Sequence, residues 1–487
     1  MITWRSFRAK SWVVMLVPLL AALPVLGASP AVDTGRAVAE MPARVMVGGL
    51  TAEQHVALQG QVAAQLLAEL PAASHVRQVK VSLDPAEVAA IDSGPSWSTP
   101  LRIGLVKPIA PVVEVFGLDD AAPTVRPGLG ATDVAMLRRD GGRVWALAVQ
   151  VPEAGAIRLH LEAFSLPAGA ELYVYTRDGE AYGPYTGAGP DDSGEFWATT
   201  VFGSEAIVQL RVAPPVTAAA LGDVSFRVTE VGVITRKFGK PEAPSASFCG
   251  NPDCIVDASC YPEANSIENA YAKMEWVQGA YIYSCTGGLL NDSNPTQDNF
   301  FLTANHCVSK SSTAKNVTFY WRFRTTTCNG ACPSNTGWPY KTTGATVAAS
   351  GRKGDFTLMQ VKGVLPAGSV FLGWTSAPVA NTNGVALHRV SNPNFGPQVY
   401  NEQTVSTSAP VCRSWPRGER IYSRDTLGAT DGGSSGSPVV NGSDQVVGQL
   451  SGACGTNVND PCDAINNATV DGAFAYYFPS VQRLLAP

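Results

Sequence analysis

In the stretch IRLHLEAF, Ile157, Leu159 and Leu161 alternate with Arg158, His160 and Glu162. That period-two spacing belongs to a strand with one face in a core and the other toward water. In ELYVYTRDGEAYGPY, two aromatic strand segments flank Asp178 and Gly179, which predicts a hairpin. TAEQHVALQGQVAAQLLAEL reads instead as a helix, and the remainder of the region from about 30 to 235 alternates as strands. Several such strands predict a β-sandwich. TRKFGKPEAPSAS (Thr235 to Ser247) mixes basic residues with proline, glycine and serine, the makeup of an exposed linker open to proteolysis. Beyond it lie about 240 residues of short strand-like runs broken by Gly, Asn and Ser turns, with one short closing helix expected in PSVQRLLAP. This is the outline of an all-β double barrel or sandwich.

Arg5, Arg8 and Lys10 precede the apolar run SWVVMLVPLLAALPVLGA, which ends in small residues around Gly27 and Ala28. It reads as a secretory signal peptide over residues 1–28, with a β-rich region over 29–240 and a second domain over 241–487. All ten cysteines lie at or after Cys249, as expected of an exported, oxidised domain. Cys328 and Cys332 are close in sequence, but no paired C-x-x-C motif accompanies them, so a zinc site is not expected. The net charge of -5 and the absence of a basic run exclude nucleic acid as a partner. No further membrane-length apolar stretch follows the signal, so no membrane association is expected after its removal.

Candidate chemistry gathers around TDGGSSGSPVV (Thr430 to Val440). Read as G-x-S-x-G, it makes Ser434 the elbow of an α/β-hydrolase, a fold that needs its histidine after the serine. The last histidine is His388, which removes that reading. Read as G-x-S-G-x-P, it makes Ser435 the nucleophile, which needs a base and an orienting acid. His306, in FFLTANHCV, ends an apolar strand beside a cysteine; His388, in VALHRVSNP, suits a structural or cleft-rim place. Asp355, in KGDFTLMQV, stands at the mouth of an apolar run where its charge can be enclosed. His55, His75 and His160 lack a serine or carboxylate motif nearby and read as structural, and Trp97, Trp145 and Trp197 read as core.

LTANHC, GDFTL and GGSSGSPVV, in the order His, Asp, Ser and spaced by 49 and 80 residues, resemble the three catalytic blocks of the chymotrypsin-like serine endopeptidases. CIVDASC, YSCTGGLLN, YWRFRTTTC and VVGQLSGAC extend the likeness to the bacterial lysyl endopeptidase branch over roughly 250–487. The resemblance implies a chymotrypsin-like double β-barrel with the upstream part as a propeptide region; this region is expected to assist folding and cover the cleft until the linker is cut, with Lys237 and Lys240 as cut sites. It implies disulfides Cys285–Cys307, Cys254–Cys454 and Cys260–Cys328, leaving Cys249, Cys332, Cys412 and Cys462 for two more bridges of open pairing.

The roles then follow. Ser435 attacks a peptide carbonyl, His306 relays the proton, Asp355 orients the ring, and the backbone N–H groups of Gly433 and Ser435 hold the oxyanion. Ser451 lies on the strand expected to pair with the substrate backbone, with Gly452 and Ala453 along its path. Neither metal nor organic cofactor is required, and the expected partners are protein or peptide substrates. Two departures matter. Ser434 replaces the aspartate that trypsin-type enzymes use for activation, so the zymogen needs another form of control. Lysyl endopeptidases carry their pocket acid three residues before a glycine, where this chain has Thr469, and the acid Asp471 is displaced by two. A loop shift that brings Asp471 to the pocket floor would select lysine or arginine, with Asp431, Asp460 and Asp463 as rivals. The alternative is a secreted binding or adhesion protein that retains the β-rich region beside the protease-fold domain.

Overall fold

Thr51 opens the first helix through a reciprocal cap: its hydroxyl accepts from the Gln54 N–H at 3.2 Å, and the Gln54 side chain accepts from the Thr51 N–H at 2.9 Å. Helix α1 (Ala52–Glu69) ends at Leu70, which Pro71 follows. These features belong to a computed structural model that describes residues 38–92, 100–120, 134–235, 248–333 and 340–486. The expected signal peptide, Trp97 and the linker lysines Lys237 and Lys240 lie outside the described residues.

Ala63 and Leu66 of α1 pack on Ala146, Ala148, Tyr173 and Tyr175 of a sheet whose main strands include Arg143–Gln150, Ala170–Tyr175, Ala181–Tyr185 and Glu205–Val212. Ala170–Tyr175 and Ala181–Tyr185 pair antiparallel around Asp178 and Gly179, as the alternation predicts. A second sheet contains β1 (Leu101–Phe116), β2 (Ala156–Ser165) and β3 (Ser225–Ile234), with β3 between the other two. Trp145, Leu159, Leu161 and Phe226 share the core between the sheets, which is a sandwich core. The polar face of β2 departs from its sequence reading, because Arg158 and His160 are buried rather than turned to water. Downstream residues cover Arg158, and Trp197 stacks on His160 at 4.6 Å.

The downstream strands close two barrels. In the first, β4 (Tyr271–Gln278) pairs with β5 (Tyr281–Leu289), and β5 pairs with β6 (Phe300–Ala304). On its other side β4 meets β7 (Thr318–Trp321), which pairs with β8 (Tyr340–Thr343). Gly344 bends β8 into β9 (Ala345–Gly351), and β10 (Phe356–Val361) joins β9 to β6, closing the ring. Phe301, Phe319 and Trp321 fill its interior with ring centroids 5.0–5.9 Å apart. The second barrel runs β11 (Ala386–Ser391), β12 (Val399–Val405), β13 (Arg420–Leu427), then β14 (Pro438–Asn441), β15 (Gln445–Gly455) and β16 (Asn467–Ala473). Its ring closes in the order β11-β12-β13-β16-β15-β14 and back to β11. Helix α2 (Phe474–Leu485) starts earlier than the tail PSVQRLLAP suggests and buries Phe474, Tyr477, Phe478 and Val481 against the barrels.

Five disulfides bind this part of the chain. Cys285–Cys307 and Cys260–Cys328 are present, and Cys249 pairs with Cys332. The implied Cys254–Cys454 bridge is not formed: Cys254 pairs with Cys462, and Cys454 pairs with Cys412. The Tyr422 hydroxyl accepts from the Cys412 N–H at 3.1 Å and holds it over the end of β15, where Cys454 leaves the strand. Bridges of this number suit an oxidising compartment. No helix among the described residues is long and apolar enough to cross a membrane.

The sandwich and the first barrel form one continuous sheet, because β1 pairs with β5 from Leu101↔Ser284 to Leu105↔Tyr281. Buried charge crosses the same boundary. Arg158 donates to Ala198 O at 2.9 Å and Asn316 O at 2.6 Å and faces Glu275 at 3.7 Å, with neither side chain exposed. Glu275 also accepts from the Thr200 and Tyr320 hydroxyls, and Lys341 pairs with Glu180. Breaking one partner of such a pair strands the other charge. In a chain kept intact by S435A, R158A is expected to cost about 3–5 kcal/mol, read from the urea midpoint. His55 stacks on Tyr340 at 4.1 Å, and burial, with Lys341 nearby, lowers its pKa to about 4. The folded chain therefore favours neutral His55 while the unfolded chain protonates near pH 6.5. Stability is expected to decline as pH falls from about 6.5 toward 4, and H55F should flatten that part of a Tm-versus-pH curve.

Candidate active site

Asp355 immediately precedes β10 in the left-handed region, at φ 51°. The turn directs its carboxylate at the end of β6: Oδ1 accepts from the His306 N–H at 3.0 Å, and Oδ2 lies 2.8 Å from His306 Nδ1. A carboxylate only accepts, so this grip places the ring hydrogen on Nδ1 and leaves Nε2 with its lone pair. Nε2 has no partner among the described residues. The ring thus has one nitrogen anchored and one available.

Ser435 lies on the loop before β14. Its carbonyl accepts from the Thr286 N–H at 2.9 Å and lies 3.7 Å from Cys307 Sγ. The serine loop and the residue after His306 therefore lean on the same Cys285–Cys307 bridge. No hydrogen bond joins the Ser435 hydroxyl to Nε2; in unliganded sites such bonds are often long. Ser434, by contrast, is fully buried and its hydroxyl accepts from Ser391 at 3.0 Å.

Two backbone amides complete the arrangement. Gly432 O accepts from the Asn394 N–H at 2.6 Å, and Ser434 O accepts from the Ser437 N–H at 3.0 Å. In a trans peptide the N–H points opposite the carbonyl, so these anchors turn the Gly433 and Ser435 N–H groups the other way. Neither amide donates to another backbone group among the described residues. Gly433 holds φ 97°, and a Cβ there would lie 2.9 Å from Asn392 O, so a side chain would be both strained and blocked.

The sequence reading missed the residues that hold these pieces. Gln449, a polar side chain inside the apolar run VVGQL, donates from Nε2 to Gly354 O at 2.9 Å and Asp355 O at 2.8 Å. Its Oε1 accepts from the Tyr477 hydroxyl. Thr286 donates to Gly433 O at 2.8 Å and accepts from the Asn392 N–H at 3.0 Å. A buried polar residue in an otherwise apolar strand was the available signal.

Ser451 is the extra residue of a bulge, since Leu450 faces Asp471 and Gly452 faces Val470. It is fully buried beside the Ser435 loop, where Gly436 N–H donates to Leu450 O at 2.8 Å. His388 pairs with Asp444 at 3.0 Å. Asp471 does not reach a pocket floor. It is buried inside the second barrel, 2.8 Å from Arg389 Nη2 and 2.9 Å from Gln403 Nε2. A displacement by two keeps the face of β16 but moves the side chain about 7 Å along the strand, here into the barrel.

The chain is a serine endopeptidase with a chymotrypsin-like double barrel, and comparison with known proteins places it beside the lysyl endopeptidases. Residues 250–465 match the family model "Lysyl endopeptidase, C-terminal domain". The chain is 26% identical over 414 residues to the lysyl endopeptidase of Pseudomonas aeruginosa, covering 81% of this chain and 83% of that protein. Among solved structures, the active form of the Rv3671c protease from M. tuberculosis aligns with TM-score 0.33 and 16% identity over 49% of this chain and 93% of that one. The HtrA-type protease AlgW with tripeptide aligns with TM-score 0.31 and 14% identity over 46% and 62%.

Q449A would strand the Gly354 carbonyl and the Tyr477 hydroxyl, while Asp355 O keeps the Asn305 N–H at 3.0 Å, at a cost of about 1–3 kcal/mol. The expected readout is a lower urea midpoint in the S435A chain.

Proposed function

We propose that the protein is a secreted endopeptidase that hydrolyses peptide bonds through an acyl-enzyme on Ser435 and prefers a basic residue before the scissile bond. The observation that carries this reading is the two-point hold of Asp355 on His306, at 3.0 and 2.8 Å, which leaves Nε2 without a partner among the described residues. His306 takes the Ser435 proton as the hydroxyl attacks, then delivers it to the leaving amine. Asp355 keeps the tautomer and stabilises the imidazolium; the Gly433 and Ser435 amides receive the developing oxyanion. The likeness to lysyl endopeptidases supports the basic preference. Digestion of a mixed peptide library, read by mass spectrometry, is expected to give cleavage after lysine or arginine. S435A should abolish cleavage, and D355N should lower kcat by roughly 10⁴; full activity in either variant would overturn the reading.

The region before residue 240 is proposed to be a propeptide that the cell exports with the enzyme and that the enzyme sheds. Its strand β1 enters beside the site: Leu101 pairs with Ser284, and its Cδ2 lies 3.2 Å from where a Cβ on Gly433 would stand. That contact supports inhibition by occupancy of the oxyanion side of the cleft. Changing Lys237 and Lys240 together to alanine is expected to slow maturation, and L101D in that uncut chain to raise residual ester hydrolysis about tenfold. Unchanged processing and a mature N-terminus near residue 29 would favour a retained binding region instead.

A further inference from the structure

A small cleft opens beside the Ser435 loop, with Thr430 on that loop, Ala453 on β15 and Thr469 on β16 as walls. Asp425 lines it from β13, the strand next to β16. Both of its carboxylate oxygens lie near the Thr469 hydroxyl, at 2.9 and 3.1 Å. The Asn401 side chain adds a second hydrogen bond, and neither partner brings a charge. The cation nearest in influence, Arg389, is already taken by Asp471 at 2.8 Å. Asp425 is thus a recessed acid without a cationic partner among the described residues. Burial pushes its carboxyl up to about 6, the behaviour of an acid that lacks its counter-ion.

The other acid on the cleft is differently employed. Asp463 accepts from Asn457 Nδ2 and Asn466 Nδ2, each at 2.8 Å, and from the Asn466 N–H at 3.0 Å. These bonds, with Arg424 donating to Ala464 O at 2.8 Å, fold the loop that forms the cleft's outer wall. Asp463 shapes the wall, and Asp425 is left to meet a ligand.

We propose that Asp425 binds the ammonium or guanidinium of the substrate residue before the scissile bond and so sets the preference for basic residues. The proposal rests on the endopeptidase reading above. Its geometry also predicts a substitute: an acid at position 469, whose hydroxyl is hydrogen-bonded to Asp425 at 2.9 Å, should do the same work.

The test compares the mature wild-type enzyme with D425N and the double variant D425N/T469D, on peptide amides differing only in lysine, arginine or leucine before the cleaved bond. The nitrophenol burst from nitrophenyl acetate serves as a pocket-independent count of competent Ser435. The expected result is a loss in D425N of at least 100-fold in kcat/KM for lysine and arginine substrates with the burst intact, and recovery of at least tenfold in D425N/T469D. A D425N enzyme that keeps its basic preference overturns the assignment, as does a D425N loss that T469D fails to recover. A wild type with a burst but no basic preference overturns the pocket while leaving the hydrolytic reading; a wild type with no burst and no cleavage overturns both.

Discussion

The contact between Gly354 and Gly472 is the constraint on which the site depends. The Gly354 carbonyl occupies the space that a Cβ on Gly472 would need, so glycine there lets the two barrels meet backbone to backbone. Gln449 then bridges the seam, holding the carbonyls of Gly354 and Asp355 from the second barrel. Asp355 and His306 belong to the first barrel, while Ser435 and its amides belong to the second. Relative placement of the two halves of the chemistry is therefore set by close packing at one seam, reinforced where the serine loop rests on Cys307. A displacement of 1 Å there would matter, since proton transfer requires hydrogen-bond reach.

A second constraint is the way buried charge is distributed. The interior of the second barrel contains Arg389 and Asp471, both unexposed, and the boundary with the sandwich contains Arg158, Glu275 and Lys341. Buried pairs contribute little net stability but penalise any arrangement that separates them. Here they fix which surfaces meet. At the boundary they hold the upstream region against the first barrel, and inside the barrel they remove Asp471 from solvent. Asp425, at the cleft, has no cationic partner among the described residues.

Local pattern made much of this legible. The helix from Thr51, the hairpin at Asp178 and Gly179, the sandwich and the all-β downstream part follow from periodicity and turn residues, because those are short-range properties. The juxtaposition of His306 and Asp355 was readable as well, since each stands at the end of an apolar strand and those strands, β6 and β10, pair directly. What depends on distant packing was not readable. Arg158 alternates like a solvated residue, yet its face of β2 is covered by chain more than a hundred residues away. The partner of Cys454 turned on where Tyr422 holds Cys412. Thr469 and Asp471 differ by two positions on one face, and only the depth of β16 in the barrel tells which of them meets the cleft.

The central claim is that Ser435, and not its buried neighbour Ser434, is the residue His306 activates. Peptide mapping by mass spectrometry after treatment of the mature protein with a fluorophosphonate tests it directly. A single phosphonyl adduct on Ser435, lost when His306 is replaced by alanine, is the result this account predicts. Absence of any adduct, an adduct on Ser434, or labelling of Ser435 that is indifferent to His306 would contradict it.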